Sequence, residues 1–167
     1  MKRYLILILI FLGIVAYMSS MPYEDQSIIP ELRTILADRP FEEQLSSIHL
    51  TYWGSEVSVD ENGYFHFVEF LIRKSIHFFG YGILGVLIFL FYRKMSWQLP
   101  SLFAILSIFI IASLDELRQR MSPGRTGIFQ DVVLDTVGAI TCILLMKLIL
   151  GLFSSTNKIF TRKNAGI

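Results

Sequence analysis

Four stretches of this chain are too long and too apolar to be the interior of a water-soluble domain. A helix crossing the hydrocarbon layer needs about 20 mostly apolar residues. Residues 4–20, which follow Lys2 and Arg3, approach this; so do 72–92, apolar after Lys74 apart from His77, and 132–153, interrupted only by Asp135 and Lys147. The run at 99–114 is shorter, but Trp97 and Gln98 sit comfortably at a membrane interface and extend it. Composition agrees: 53% of the residues are apolar and 17% charged, against about 25% charged in soluble domains. The sequence therefore predicts an all-α integral membrane protein, a single domain over residues 1–167 with four transmembrane helices. A small extracytoplasmic cap, residues 21–71, separates the first two. The first run also resembles a cleaved secretory signal, but no Ala-x-Ala site follows it, so it reads as a retained anchor.

Charge and cysteine content narrow the function. A net charge of +1 leaves no basic stripe for nucleic acid, and the one cysteine, Cys142, excludes an internal disulfide or a thiolate cluster. Placed in an apolar run, Cys142 reads as a small core residue. With the N-terminus cytoplasmic, eight of the fifteen basic residues lie on short inner segments without a carboxylate, and all fourteen carboxylates lie on the other side. The leading Lys2-Arg3 then places both termini in the cytoplasm of a multi-pass cell-membrane protein.

Within residues 21–71, Pro30 suits the first turn of a helix carrying Leu32, Ile35 and Leu36, stopped at Arg39-Pro40. Phe41, Leu45 and Ile48 repeat at helical spacing. Alternation at Leu50, Tyr52, Val57 and Val59, then Asn62-Gly63, then Tyr64 to Val68 predicts a β-hairpin turning at Asn62-Gly63.

Ionisable side chains inside a span cost several kcal/mol on the more modest scales, so each is a candidate for function. Lys74, His77 and Tyr81 are spaced i, i+3, i+7 along one face of the second span. Asp131 and Asp135, with Gly138, share a face of the fourth. Asp115, Glu116 and Gln119 close the third, and Pro123-Gly124-Arg125 forms a turn beyond it. Helix direction brings all of them to one end of the bundle. Lys74 with Asp131 or Asp135, and Arg125 with Glu116, read equally as ion pairs that fasten helices together. His77 weighs toward a site, because an imidazole adds nothing to a fastening that lysine already makes. The three histidines, His49, His66 and His77, lack a zinc-binding spacing, and Ser75 lies in no nucleophile motif. Gly80, Gly82 and Gly85 read as close-packing positions. No metal or cofactor is expected.

Lys74-x-x-His77-x-x-x-Tyr81, then Asp115-Glu116-x-x-Gln119-x-x-x-Pro123-Gly124-Arg125, then Asp131-x-x-x-Asp135-x-x-Gly138 resembles the pattern of VanZ-like membrane proteins. The motifs cover residues 69–150 and the helix layout covers the whole chain. Asp135 stands where that family often has asparagine, and Met121 where an aromatic is common. The resemblance implies a cell-envelope protein affecting susceptibility to glycopeptides of the teicoplanin type, with the motif residues as its site and no assigned chemistry. Two readings follow. In one, an outer-leaflet pocket binds an anionic or amphiphilic ligand, a lipid head group or cell-wall precursor, through Lys74 and Arg125. In the other, a membrane enzyme acts on a lipid-linked substrate, with Glu116 or Asp135 as general base and His77 as general acid or base. A bundle with no ligand is the third, purely structural alternative.

Overall fold

The computed structural model describes residues 1–122, 124 and 127–164, with side chains described up to Leu152. Its elements, in order, are α1 (Lys2–Ser20), a short 3-10 turn (Glu24–Gln26), α2 (Ile29–Ile35), α3 (Glu42–Ser46), β1 (Leu50–Tyr52), β2 (Ser55–Val57), α4 (Val59–Asn62), α5 (Tyr64–Lys94), α6 (Pro100–Gln119) and α7 (Phe129–Asn164). Four of these, α1, α5, α6 and the Phe129–Leu152 part of α7, are long and apolar enough to cross a membrane. The chain is an all-α membrane protein, and its only sheet among the described residues is the two-stranded β1–β2 ribbon.

The seam between α5 and α7 organises the bundle. A Cβ on Gly138 would collide with the Phe78 carbonyl of α5, and one on Gly85 would lie 2.9 Å from the Ala139 Cβ. Small residues on both helices therefore let the backbones touch, the usual device where lipid is as apolar as the side chains and burial alone drives little association. Gly82 faces Cys142 and Gly138 across the same seam. Gly80 differs: its nearest neighbour is the Phe11 ring at 3.9 Å, so it is not a close-packing position. Tyr81, Leu84, Ile88, Ala104, Ile108, Ala112, Ala139 and Ile143 fill the space between α5, α6 and α7. Helix α1 packs more loosely, burying Ile8 and partly burying Phe11, Leu12 and Val15. At the far end Trp97 stacks on Tyr92 with ring centroids 4.4 Å apart, closing the turn from α5 to α6.

The region between α1 and α5 departs from the sequence reading. The hairpin turns at Trp53-Gly54, both with positive φ, and pairs Leu50 with Val57, Thr51 with Glu56 and Tyr52 with Ser55. Asn62-Gly63 is no hairpin turn. Ser58 caps the short α4 by accepting the Glu61 amide, and Gly63 at φ 79° leads directly into α5. Residues 64–68 read as a strand in sequence, yet Tyr64 and Phe67 bury at helical spacing with Val59, against Leu36, Leu45, Leu50 and Val57. Period 3.6 wins because a single face meets the cap. Helix α5 thus starts eight residues earlier than the predicted span and is about 46 Å long at 1.5 Å per residue, well beyond the roughly 30 Å hydrocarbon layer. Helix α2 starts at Ile29 with Pro30 in its first turn but ends at Ile35, short of Arg39-Pro40. Of Phe41, Leu45 and Ile48, only Leu45 packs inward; Phe41 and Ile48 are exposed.

Candidate polar site at one end of the bundle

Two parallel helices in close contact bring their residues together in ascending rungs, and here the first rungs are polar. Lys74 of α5 pairs with Asp131 of α7 through Nζ and Oδ1. One turn deeper, His77 Nδ1 lies 3.4 Å from Asp135 Oδ1. The lysine partner is therefore Asp131, with Asp135 taken by the imidazole. The Tyr81 ring stacks on His77 at 6.1 Å between centroids, and its hydroxyl faces Asp115 and Asp135.

Helix α6 enters from the side. Asp115 accepts hydrogen bonds from the Gln119 amide at 2.9 Å and from the Ser19 hydroxyl at the end of α1. Glu116 accepts the backbone amide of Ile128. That second bond needs a close approach, and Gly127 provides it: a Cβ there would strike the Glu116 carbonyl and the Arg120 side chain. Arg120 Nε in turn donates to the Gly127 carbonyl at 2.7 Å, so residues 127–128 are strapped across the end of α6.

All the carboxylates are buried: Asp115, Glu116 and Asp131 are under 9% exposed and Asp135 is 2% exposed. Three polar atoms here make no hydrogen bond of good geometry among the described residues, namely His77 Nδ1, the Tyr81 hydroxyl and Asp135 Oδ1. A buried polar group without a partner costs roughly 1–3 kcal/mol. Of the residues singled out in the sequence, Lys74, His77, Tyr81, Asp115, Glu116, Gln119, Asp131 and Asp135 share this end. Arg125 and Pro123 lie outside the described residues, so the Arg125–Glu116 pairing does too. Among the described residues, no three His, Cys, Asp or Glu side chains are placed to hold a metal ion.

The sequence reading missed Tyr52. From the first strand of the hairpin its hydroxyl donates to the same Asp131 oxygen that Lys74 contacts, and the Lys74 ammonium lies 4.5 Å from its ring centre. Burial, then the Asp131 bond, pushes the Tyr52 hydroxyl far above its ordinary value, so it remains a donor. The hairpin is thereby a cover laid on the outermost rung. Nothing in the alternation of Leu50, Tyr52 and Val57 signals this.

A second missed cluster lies one to two turns before Lys74. Glu69, 1% exposed, accepts from the Ile28 amide at 2.8 Å, the Tyr23 hydroxyl at 3.1 Å and Arg73 at 3.2 Å. Arg73 also donates to the Gln26 carbonyl at 2.9 Å and lies over the Tyr23 ring. Burial and the Glu69 charge raise the Tyr23 hydroxyl. This cluster ties the segment after α1 to α5. Its signal was present as an i, i+4 Glu-Arg pair at the start of an apolar run. His49 stands apart, pairing with Glu56 at 2.5 Å on the hairpin's exposed side.

A family model described as VanZ/LLP1 matches residues 4–150, which takes in most or all of each of the four spans, the cap and every polar residue just placed. No curated protein and no solved structure matches the chain.

Proposed function

We propose, from the premise that this chain belongs to the VanZ/LLP1 family, that it is a single-domain cell-envelope protein. Its polar end binds an amphiphilic envelope ligand, a lipid head group or lipid-linked cell-wall precursor, and so alters susceptibility to teicoplanin-type glycopeptides. The observation that carries this reading is a set of three polar atoms, His77 Nδ1, the Tyr81 hydroxyl and Asp135 Oδ1, each shielded from solvent at the depth of the spans without a hydrogen bond of good geometry among the described residues. Polar groups are expensive at membrane depth and are retained where they act on something. With Lys2-Arg3 holding the N-terminus in the cytoplasm, residues 21–63 and the polar end face outward, where such ligands are displayed.

The charge balance shapes the ligand's contacts. Lys74 is neutralised by Asp131, and four carboxylates surround the inner rungs. A phosphate or carboxylate therefore reaches Lys74 only by displacing Asp131, and sits at the rim under the Tyr52 cover. Hydroxyl, amide or amine groups of the ligand meet His77, Tyr81 and Asp135.

The His77–Asp135 contact favours a second reading, a membrane enzyme. A carboxylate beside an imidazole orients it and stabilises its protonated form, the arrangement that general base catalysis uses. The two readings separate in one experiment. Cells expressing the wild type, His77→Ala, Tyr81→Phe or Asp135→Asn at equal membrane abundance are compared for teicoplanin susceptibility, and labelled lipid-linked precursor is recovered from the purified proteins. Loss of the susceptibility change in His77→Ala and Asp135→Asn supports the site. Precursor recovered unchanged indicates binding, and conversion indicates catalysis. Full activity in all three variants would end both readings.

A further inference from the structure

A concave feature bounded by several helices lies away from the polar end. It is an open groove of about 340 Å³ between α1, α5 and α6, near the start of α1 and the end of α5. Its walls are Leu5 and Ile8 of α1, Ile88 and Phe91 of α5, and Ile110 and Ile111 of α6. The polar atoms in it, the Tyr92 and Ser107 hydroxyls, bond to each other at 3.0 Å. They leave no demand for a polar ligand inside. All three helices that form the groove span the membrane, so what fits it is a hydrocarbon chain.

The mouth of the groove carries the opposite chemistry. Lys2 lies one turn before Leu5 on the same face of α1, and Arg93 and Lys94 directly follow Tyr92. Lys2, Arg3 and Tyr4 also line an open concavity at the start of α1. Helix α6 begins six residues after Lys94, and no side chain caps its first turn, so its free amides add positive potential. Trp97 holds that start in place, stacked on Tyr92 and edge-on to Phe103 at 4.8 Å. Residues 1–23 and 70–114 contain no Asp or Glu. Four cations and an uncapped helix start thus lie at the same end of these helices as the acyl-sized groove, with no carboxylate in these segments to neutralise them.

We propose that this groove and its basic rim form a binding site for one anionic phospholipid, with an acyl chain between α1, α5 and α6 and its phosphate at Lys2, Arg3, Arg93 and Lys94. The site is separate from the polar end and does not depend on what that end does. Lipid held there fastens α1, the helix with the loosest packing, to the rest of the bundle.

The test is native mass spectrometry of the full chain in detergent, titrated with phosphatidylglycerol or phosphatidylcholine of identical acyl chains. Wild type is expected to hold one phosphatidylglycerol about tenfold or more tightly than phosphatidylcholine, given the attraction that each rim cation adds. Replacing Lys2, Arg3, Arg93 and Lys94 together by Gln should bring the two lipids to equal affinity. Filling the groove with Ile110→Trp should weaken both lipids; Leu5→Trp, on a different helix, repeats the test should the first variant fold poorly. Glu56→Gln, on the exposed hairpin and outside both sites, should leave the preference intact. Equal binding of the two lipids by wild type, a preference that survives the fourfold charge removal, or unchanged binding in a folded groove-filling variant would each overturn the proposal.

Discussion

Helices α5 and α7 meet in two ways along one seam. From Lys74 to Tyr81 they meet through charged and hydrogen-bonding side chains, Lys74 on Asp131 and His77 beside Asp135. At Phe78 and Gly85 they meet through almost no side chain at all, with Gly138 against the Phe78 backbone and Gly85 against Ala139. The glycine half is tolerant in chemistry and strict in volume. The polar half is the reverse, because a long lysine bends to suit, whereas a buried charge without its partner is costly. The contrast implies a division of labour: backbone contact at Gly138 fixes how far one helix is slid along the other, and the rungs above inherit that register. Substitutions in the two halves should therefore fail differently.

The largest effect is expected from breaking the outer rung on one side. Lys74→Met leaves Asp131 buried with, among the described residues, the Tyr52 hydroxyl as its remaining side-chain partner, and losing one partner of a buried pair typically costs about 3–5 kcal/mol. Adding Asp131→Leu removes the orphaned charge, so the double variant should recover most of that loss while the susceptibility phenotype stays absent. Thermal unfolding in detergent, read beside the phenotype, checks both parts. A double variant that is fully active would mean the charges only fasten the helices.

Breaking the glycine half should cost less and reach further. Gly138→Ala places a methyl group against the Phe78 carbonyl, which is main chain and cannot rotate aside, and overpacking of this kind costs about 1–3 kcal/mol. The helices must slide or part, so the His77–Asp135 contact above should loosen and function fall although no polar residue has changed. Gly80→Ala is the control. Only the Phe11 ring lies within 4 Å, and stability should move by no more than about 0.5 kcal/mol. Equal destabilisation by the two substitutions would remove Gly138 from its role in setting register.

How much of this was legible in the sequence follows the same division. The spans were readable because a run of apolar residues long enough to cross the hydrocarbon layer has few other uses. The polar faces were readable because helical spacing places Lys74, His77 and Tyr81 in a row whatever they touch. Their pairing was not: Asp131 and Asp135 are one turn apart on one face, and the choice between them depends on a slide set by Gly138, a tertiary quantity. The cap was misread at residues 62–68 because Asn-Gly followed by alternating aromatics is a fair hairpin signal. The contact with Leu36, Leu45 and Leu50 that makes Tyr64 and Phe67 one helical face lies 14 or more residues away in sequence. Tyr52 was invisible for a related reason, since a hairpin residue reaches Asp131 only once the cap has folded onto α5. Glu69 and Arg73 were visible and overlooked, sitting just before the predicted start of the span.

The smallest effect lies at the open edge of the same end, where His49 and Glu56 pair across the hairpin. Both side chains are about half exposed, in contrast to the buried rungs that Tyr52 covers. The Glu56 bond raises the His49 imidazole above its ordinary 6.5, and the His49 bond lowers the Glu56 carboxyl below its ordinary 4.5. The signs fix the window. A raised imidazole lends its support below pH 6.5 and loses it as pH climbs through the folded value. A lowered carboxyl lends its support above pH 4.5 and loses it as pH falls through its own folded value. The hairpin is therefore held best between about pH 4.5 and 6.5, with solvent and salt screening the pair. An NMR titration of the His49 ring should show an upward-shifted midpoint that Glu56→Gln returns toward 6.5, with the global unfolding temperature unmoved. If Glu56→Gln leaves the His49 midpoint where it was, the pair does not hold the hairpin, and the Tyr52 bond to Asp131 must keep the cover in place without it.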